Sequence, residues 1–134
     1  PGRVRLEPRG PADRYYALWA SADVGLDPFP YNGGVTTPDA LWMGVPVVSL
    51  AGVGCRARQG LSVLGAFGLG DWVAATADAY AELAARKAGD LAGLAALRAS
   101  LRDRLRGSPV LDAARFARHL EEAYRRMWRE RAGA

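Results

Sequence analysis

Short apolar runs alternate with stretches of helical period along the first 75 residues of the chain. "RVRLEP" (3–8) predicts a short strand ending at Pro8, and "PADRYYALWASA" (11–22) a helix with Pro11 suited to its first turn. "DVGL" (23–26) and "VPVVSL" (45–50) read as two further strands, apolar and bounded by turn residues. Between them "TPDALWMG" (37–44) predicts a short helix. Thr37 suits its N-cap, Pro38 its first helical position and Asp39 its first turn, and Gly44 stops it. "RQGLSVLGAFGL" is a glycine-weakened helix and "DWVAA" a last short strand. The remaining segments, "ADAYAELAARKAG", "DLAGLAALRASLRDRLRG" and "SPVLDAARFARHLEEAYRRMWRERA", read as helical throughout. In the last of these Phe116, Leu120, Tyr124 and Met127 recur at spacings of four and three, which predicts a buried stripe. The alternation through residue 75 predicts an α/β fold: a Rossmann-like parallel sheet with crossover helices and a helical C-terminal extension. Residues 1–75 would form the sheet part and 76–134 the helical part of one partial domain.

The segment Asn32 to Asp39 follows a strand and opens a helix, the place where ligands bind in parallel sheets. Gly33 and Gly34 let the backbone turn and let a ligand approach it. Free N–H groups at the helix start favour a phosphate, and Thr36 and Thr37 add hydroxyl donors. Asp39 could accept hydrogen bonds from vicinal sugar hydroxyls. The same residues also serve a plain turn with a capped helix, so the pattern alone leaves both readings open.

Composition narrows the classes. Half of the 134 residues are hydrophobic, which predicts a folded domain. The chain opens on Pro1 and runs at once into an expected strand, as a cut within a larger protein or a processed N-terminus would. No run approaches the roughly 20 apolar residues of a membrane helix. Cys55 is the only cysteine, so a cytoplasmic location is expected. The net charge of +4 is uneven: from Arg98 onward ten arginines face five acids. Such an end could touch nucleic acid, but reads first as a solvated face laced with Glu–Arg pairs. His119, alone in the last helix, reads as structural or solvent-facing, and Cys55 as a plain free thiol. Trp19, Trp42, Trp72 and Trp128 sit among apolar neighbours and read as packing residues.

The stretch "DVGLDPFPYNGGVTTPDALWMGVPVVSLAG", above all "FPYNG" and "ALWMGVPVV", resembles the C-terminal catalytic region of the O-linked N-acetylglucosamine transferases, in particular the bacterial ones, a family-41-like group of GT-B glycosyltransferases. The likeness extends more loosely through "ARQGLSVL" and "SPVLDAARFARHLEEAYRRMW". It implies that the chain is most of the C-terminal lobe of a GT-B enzyme, holding the UDP part of a UDP-sugar donor, UDP-N-acetylglucosamine, for transfer to Ser or Thr of a protein acceptor. It implies Thr36 at the diphosphate, Asp39 at the ribose, Gly34 and Val35 in the turn, and Arg58 as a loop arginine. The catalytic lysine, the N-terminal lobe and tetratricopeptide repeats would lie upstream of Pro1. No cofactor is implied, and no Asp/His cluster has metal spacing.

The chain departs from that pattern in several places. Tyr15 stands where many relatives carry histidine, Gly34 where they carry histidine or threonine, and Val35 where threonine is usual. Cys55 replaces a loop histidine. These departures motivate an alternative: a non-catalytic nucleotide-sugar-binding or protein-interaction lobe that has lost side chains.

Overall fold

A computed structural model describes residues 2–133. Its elements are α1 (Ala12–Ala20), β1 (Gly25–Leu26), α2 (Thr36–Trp42), β2 (Val47–Leu50), a 3-10 turn (Cys55–Arg58), α3 (Gln59–Ala66), a second 3-10 turn (Gly70–Trp72), β3 (Val73–Ala74), α4 (Ala77–Gly89), α5 (Leu91–Arg106) and α6 (Ala113–Ala132). The strands form a parallel sheet in the order β1-β2-β3, with Gly25 opposite Val47 and Ser49 opposite Val73. This is the expected α/β class, with helices on both faces of the sheet.

Successive residues of β2 serve opposite faces. Val47 joins Ala40 and Val45 in a small cluster, against which Trp19 and Ala22 pack. Val48 joins the main core with Leu41, Leu64, Leu69, Trp72, Leu83, Leu94, Leu101 and Leu105. At Gly25 a Cβ would sit 3.1 Å from Val47 Cγ2 and 3.2 Å from Trp19 Cζ3, so glycine lets both side chains pack closely against β1. Side-chain oxygens cap α4, α5 and α6, where Thr76, Asp90 and Asp112 accept from the N–H groups of Ala79, Gly93 and Arg115. Gly44, at φ +79°, ends α2 as its sequence suggested.

Several expectations are corrected. Residues 3–6 form no strand; Val4 and Leu6 are 84% and 90% exposed, and alternation without a neighbouring strand makes no ladder. The second and third predicted strands exist, and the sheet is completed by β3, shorter than "DWVAA" implied. Thr37 does not cap α2. The N-cap is Val35, which offers no side-chain acceptor, and Pro38 takes the third helical position. The last helix starts at Ala113, after a turn through Pro109, and not at Ser108. Its apolar stripe is not buried: Phe116 is 67% exposed, Leu120, Tyr124 and Met127 are exposed too, and no α6 residue is buried. Helical period shows that a face is apolar but not what covers it. Trp72 is buried and Trp19 half-buried, whereas Trp128 lies open on α6.

The arginines divide by helix. On α5, Arg98 donates to the Ala22 carbonyl at 2.9 Å and to Asp23 Oδ1 at 2.7 Å. Arg102 donates through Nε and Nη2 to the Trp42 carbonyl, both at 3.1 Å. Arg102 and Arg106 also stand over the exposed Trp42 ring, at 5.3 and 5.6 Å from its centroid. These cations fasten α5 to the sheet half and shelter Trp42. On α6, Arg125 pairs with Glu121 four residues away, a solvated pair of the expected kind worth little.

Candidate functional site

The loop between β1 and α2 leaves the carboxyl edge of the sheet, as expected, and internal hydrogen bonds fix most of its course. The Asp27 N–H donates to the Val48 carbonyl at 2.9 Å, extending the β1–β2 ladder by one residue. The Asp27 side chain turns inward: Oδ1 accepts the Gly33 N–H at 2.7 Å and Oδ2 accepts the Ser49 hydroxyl at 2.6 Å. Tyr80 on α4 donates to the Asp27 carbonyl at 3.0 Å, and its ring meets Phe29 edge-on at 5.5 Å. Asn32 is wholly buried. Its N–H donates to the Arg56 carbonyl at 3.1 Å, and its Nδ2 to the carbonyls of Pro28 at 3.1 Å and Leu50 at 3.4 Å. Asn32 thus ties the first carboxyl-edge loop to the second.

The two threonines have different tasks. Thr37 is buried and donates its hydroxyl to the Gly33 carbonyl at 3.0 Å, four residues back. Thr36 is exposed, and its hydroxyl has no partner among the described hydrogen bonds. Gly33 must be glycine, since a Cβ there would collide with Thr36 Oγ1 and lie 2.8 Å from Thr37 Oγ1. Gly34 and Val35 are exposed beside Thr36. A Cβ at Gly34 would come within 2.8 Å of Gln59 Oε1, so the amide of Gln59, at the start of α3, borders the space above that glycine. The open surface of the turn is therefore Gly34, Val35 and Thr36, with Asn32, Gly33 and Thr37 bracing it from below.

Asp39 lies one turn into α2, half-buried, and its Oδ2 accepts the Tyr15 hydroxyl at 3.1 Å. Two candidates 24 residues apart in sequence thus meet at one carboxylate. Burial raises the Tyr15 phenol above its ordinary value, the Trp19 indole opposes the shift, and Asp39 adds to it. The phenol donates to Oδ2, and no hydrogen bond to Oδ1 is among those described. Arg58 is exposed and donates to the Gly52 carbonyl at 3.3 Å, a tie within its own loop. Cys55 is an exposed free thiol, and His119 is exposed on α6.

Sequence reasoning missed Asp27, Ser49, Gln59 and Tyr80. An acid ending an apolar strand was the one available signal for Asp27. The other three reach the loop from β2, α3 and α4, and no local pattern marks them.

The family model for "Glycosyl transferase family 41" matches residues 11–120. The chain belongs to glycosyl transferase family 41. Over 108 residues, 81% of the chain, this family-41 region is 46% identical to the probable UDP-N-acetylglucosamine–peptide N-acetylglucosaminyltransferase SPINDLY of Arabidopsis thaliana. It is 48% identical over 106 residues, 79% of the chain, to the SPINDLY protein of Hordeum vulgare. The aligned parts are 12% and 11% of those relatives, so the region spans a small share of their length. A solved structure of a mutant O-GlcNAc transferase from Thermobaculum terrenum matches with a TM-score of 0.84 at 41% identity, over 96% of this chain and 25% of that one. The family-41 region thus has the α/β fold expected of a GT-B glycosyltransferase.

Proposed function

We propose that this family-41 lobe binds the UDP moiety of a UDP-sugar, UDP-N-acetylglucosamine, in an enzyme that transfers the sugar to Ser or Thr hydroxyls of proteins. The observation that carries the reading is the division of labour in the loop. The Asn32 N–H groups, the Gly33 N–H and carbonyl and the Thr37 hydroxyl are spent inside the protein, while Gly34, Val35 and Thr36 stay exposed at the start of α2 with Asp39 one turn away. In this reading the diphosphate meets the backbone N–H groups of that turn and the Thr36 hydroxyl. The ribose hydroxyls meet Asp39 Oδ1, with Oδ2 already engaged by Tyr15. When the sugar departs, negative charge builds on the leaving diphosphate, and fixed donors at a helix start stabilise it without a metal. The remaining catalytic groups, a lysine at the leaving diphosphate and the facing lobe, would come from elsewhere in the polypeptide, as would the surface for the protein acceptor. Among the described residues, no helix is long and apolar enough to cross a membrane.

The test is transfer of labelled N-acetylglucosamine from UDP-N-acetylglucosamine to protein hydroxyls by the whole protein, with a chelator present. Transfer that Asp39→Ala reduces supports the reading, and no transfer with any protein acceptor in a lysate overturns it. A second reading, a binding lobe without turnover, is favoured by two observations. Val35 carries no donor at an exposed turn position, and Gln59 crowds the space above Gly34. UDP binding without transfer would favour that reading.

A further inference from the structure

We infer that Asp27 is a positioning residue for the donor turn, a buried acid that holds the Gly33 amide and so sets which N–H groups remain for the diphosphate. The inference rests on the donor-site reading above. Asp27 is 3% exposed, and both its oxygens accept, one from the Gly33 N–H and one from the Ser49 hydroxyl. Its backbone is fixed as well, by the Val48 carbonyl on one side and the Tyr80 hydroxyl on the other. The site is closed around it: a Cβ at Gly60 would collide with Ser49 Oγ and lie 2.6 Å from Asp27 Oδ2. On β2 and α3, the elements packed against this carboxylate, Ser49 and Gly60 are the groups at its oxygens, and neither carries a charge.

A buried acid beneath a turn that takes a diphosphate is electrostatically adverse, because like charges repel more strongly where water is excluded. Its place there calls for a geometric reason. A carboxylate accepts with full charge at both oxygens, so it can hold two donors, whereas an asparagine offers one neutral acceptor oxygen and an NH2 group that only donates. With asparagine, Oδ1 holds the Gly33 N–H only as a neutral acceptor. Nδ2 faces the Ser49 hydroxyl, which must turn to accept and gives up its own donation to the acid, so the clamp weakens. With the acid, the Gly33 N–H is consumed internally and its carbonyl is held by Thr37. The peptide on either side of Gly33 is then fixed, and the N–H groups of Gly34, Val35 and Thr36 follow in a set direction. Preorganised donors of this kind bind without reorganising at the moment of reaction.

The sign of one substitution separates positioning from simple charge. On charge alone, Asp27→Asn removes repulsion and tightens UDP. On the positioning account it weakens UDP, by about tenfold, the equilibrium effect of roughly one net hydrogen bond. The whole protein is titrated with UDP as wild type, Asp27→Asn and Leu101→Ala. Leu101, wholly buried on α5, has no part in the loop's hydrogen bonds, so its truncation reports global destabilisation alone. Expected are weaker UDP binding and a raised donor KM for Asp27→Asn, an unchanged acceptor KM, and normal UDP affinity of folded Leu101→Ala. UDP affinity equal to or above wild type in Asp27→Asn overturns the inference, and so does an equal loss in Leu101→Ala. Should Asp27→Asn fail to fold, Ser49→Ala takes its place with a smaller loss of affinity expected, and an unchanged affinity overturns the inference. Wild type that binds no UDP is a different outcome: it sinks the donor-site reading itself and this inference with it.

Discussion

Thr36 and Thr37 are neighbours with the same side chain, and the structure predicts that the same substitution acts on different properties at the two positions. Valine is nearly isosteric with threonine, is equally β-branched and differs little in helix propensity, so Thr→Val removes a hydroxyl and little else. At Thr37 the hydroxyl is buried and is the donor to the Gly33 carbonyl at 3.0 Å. Its loss removes a net hydrogen bond and leaves a partly buried carbonyl without that donor, which together destabilise by about 1–2 kcal/mol. At Thr36 the hydroxyl is exposed, so Thr36→Val changes stability by less than about 0.5 kcal/mol. Its effect falls on the ligand: UDP binding weakens by about 0.5–1.5 kcal/mol, the net value of one hydrogen bond. Urea unfolding and calorimetric UDP titration of both variants measure the crossover. Unchanged UDP affinity in Thr36→Val, or unchanged stability in Thr37→Val, refutes the reasoning.

Further substitutions probe the same surface. Asp39→Ala weakens UDP by about 1–3 kcal/mol, the scale of charge-assisted hydrogen bonds to sugar hydroxyls, and an unchanged calorimetric affinity would leave Asp39 only a first-turn acid. Val35→Thr supplies a hydroxyl at an exposed position and strengthens UDP by about 0.5–1.5 kcal/mol if the turn carries the diphosphate; no gain by the same titration contradicts that. Stability also depends on pH through two phenols. Tyr15 is raised by burial, with Trp19 opposing and Asp39 adding, and Tyr80 is raised by burial and then by Asp27. A raised tyrosine binds its proton more tightly when folded, so its contribution is whole below the ordinary value of 10.0 and is lost as pH climbs through the folded value. Melting temperature should therefore fall above pH 10 less steeply in Tyr80→Phe than in wild type, and parallel curves would contradict the assignment.

What the sequence disclosed and what it hid divide along a physical line. The run "DVGL", the loop and "VPVVSL" were legible because strand, turn and strand are local patterns, and Gly44 marked the end of α2 by the same token. The apolar stripe of α6 was also read correctly as a stripe, yet its burial depends on a partner that periodicity does not encode. "RVRLEP" has strand-like alternation but no neighbour to pair with, so it stays exposed. Within the loop, composition could not tell which polar groups face inward. Thr37 looked like a cap because threonines often cap helices, but the chain enters helical geometry two residues earlier than a Thr37 cap would set, and its hydroxyl turns back to Gly33. The meeting of Tyr15 with Asp39, and the bracing by Ser49 and Tyr80, depend on tertiary placement and left no trace in spacing.

The central claim is that UDP lies on the carboxyl-edge turn between β1 and α2. A crystal structure of the whole protein with UDP tests it most directly. The account predicts the diphosphate within hydrogen-bonding distance of the Thr36 hydroxyl and the Gly34–Thr36 backbone, the ribose hydroxyls on Asp39, and the Asp27–Gly33 bond intact. UDP bound elsewhere, for example in the hollow of about 620 Å³ along α6 lined by Tyr124, Met127 and Trp128, would contradict it.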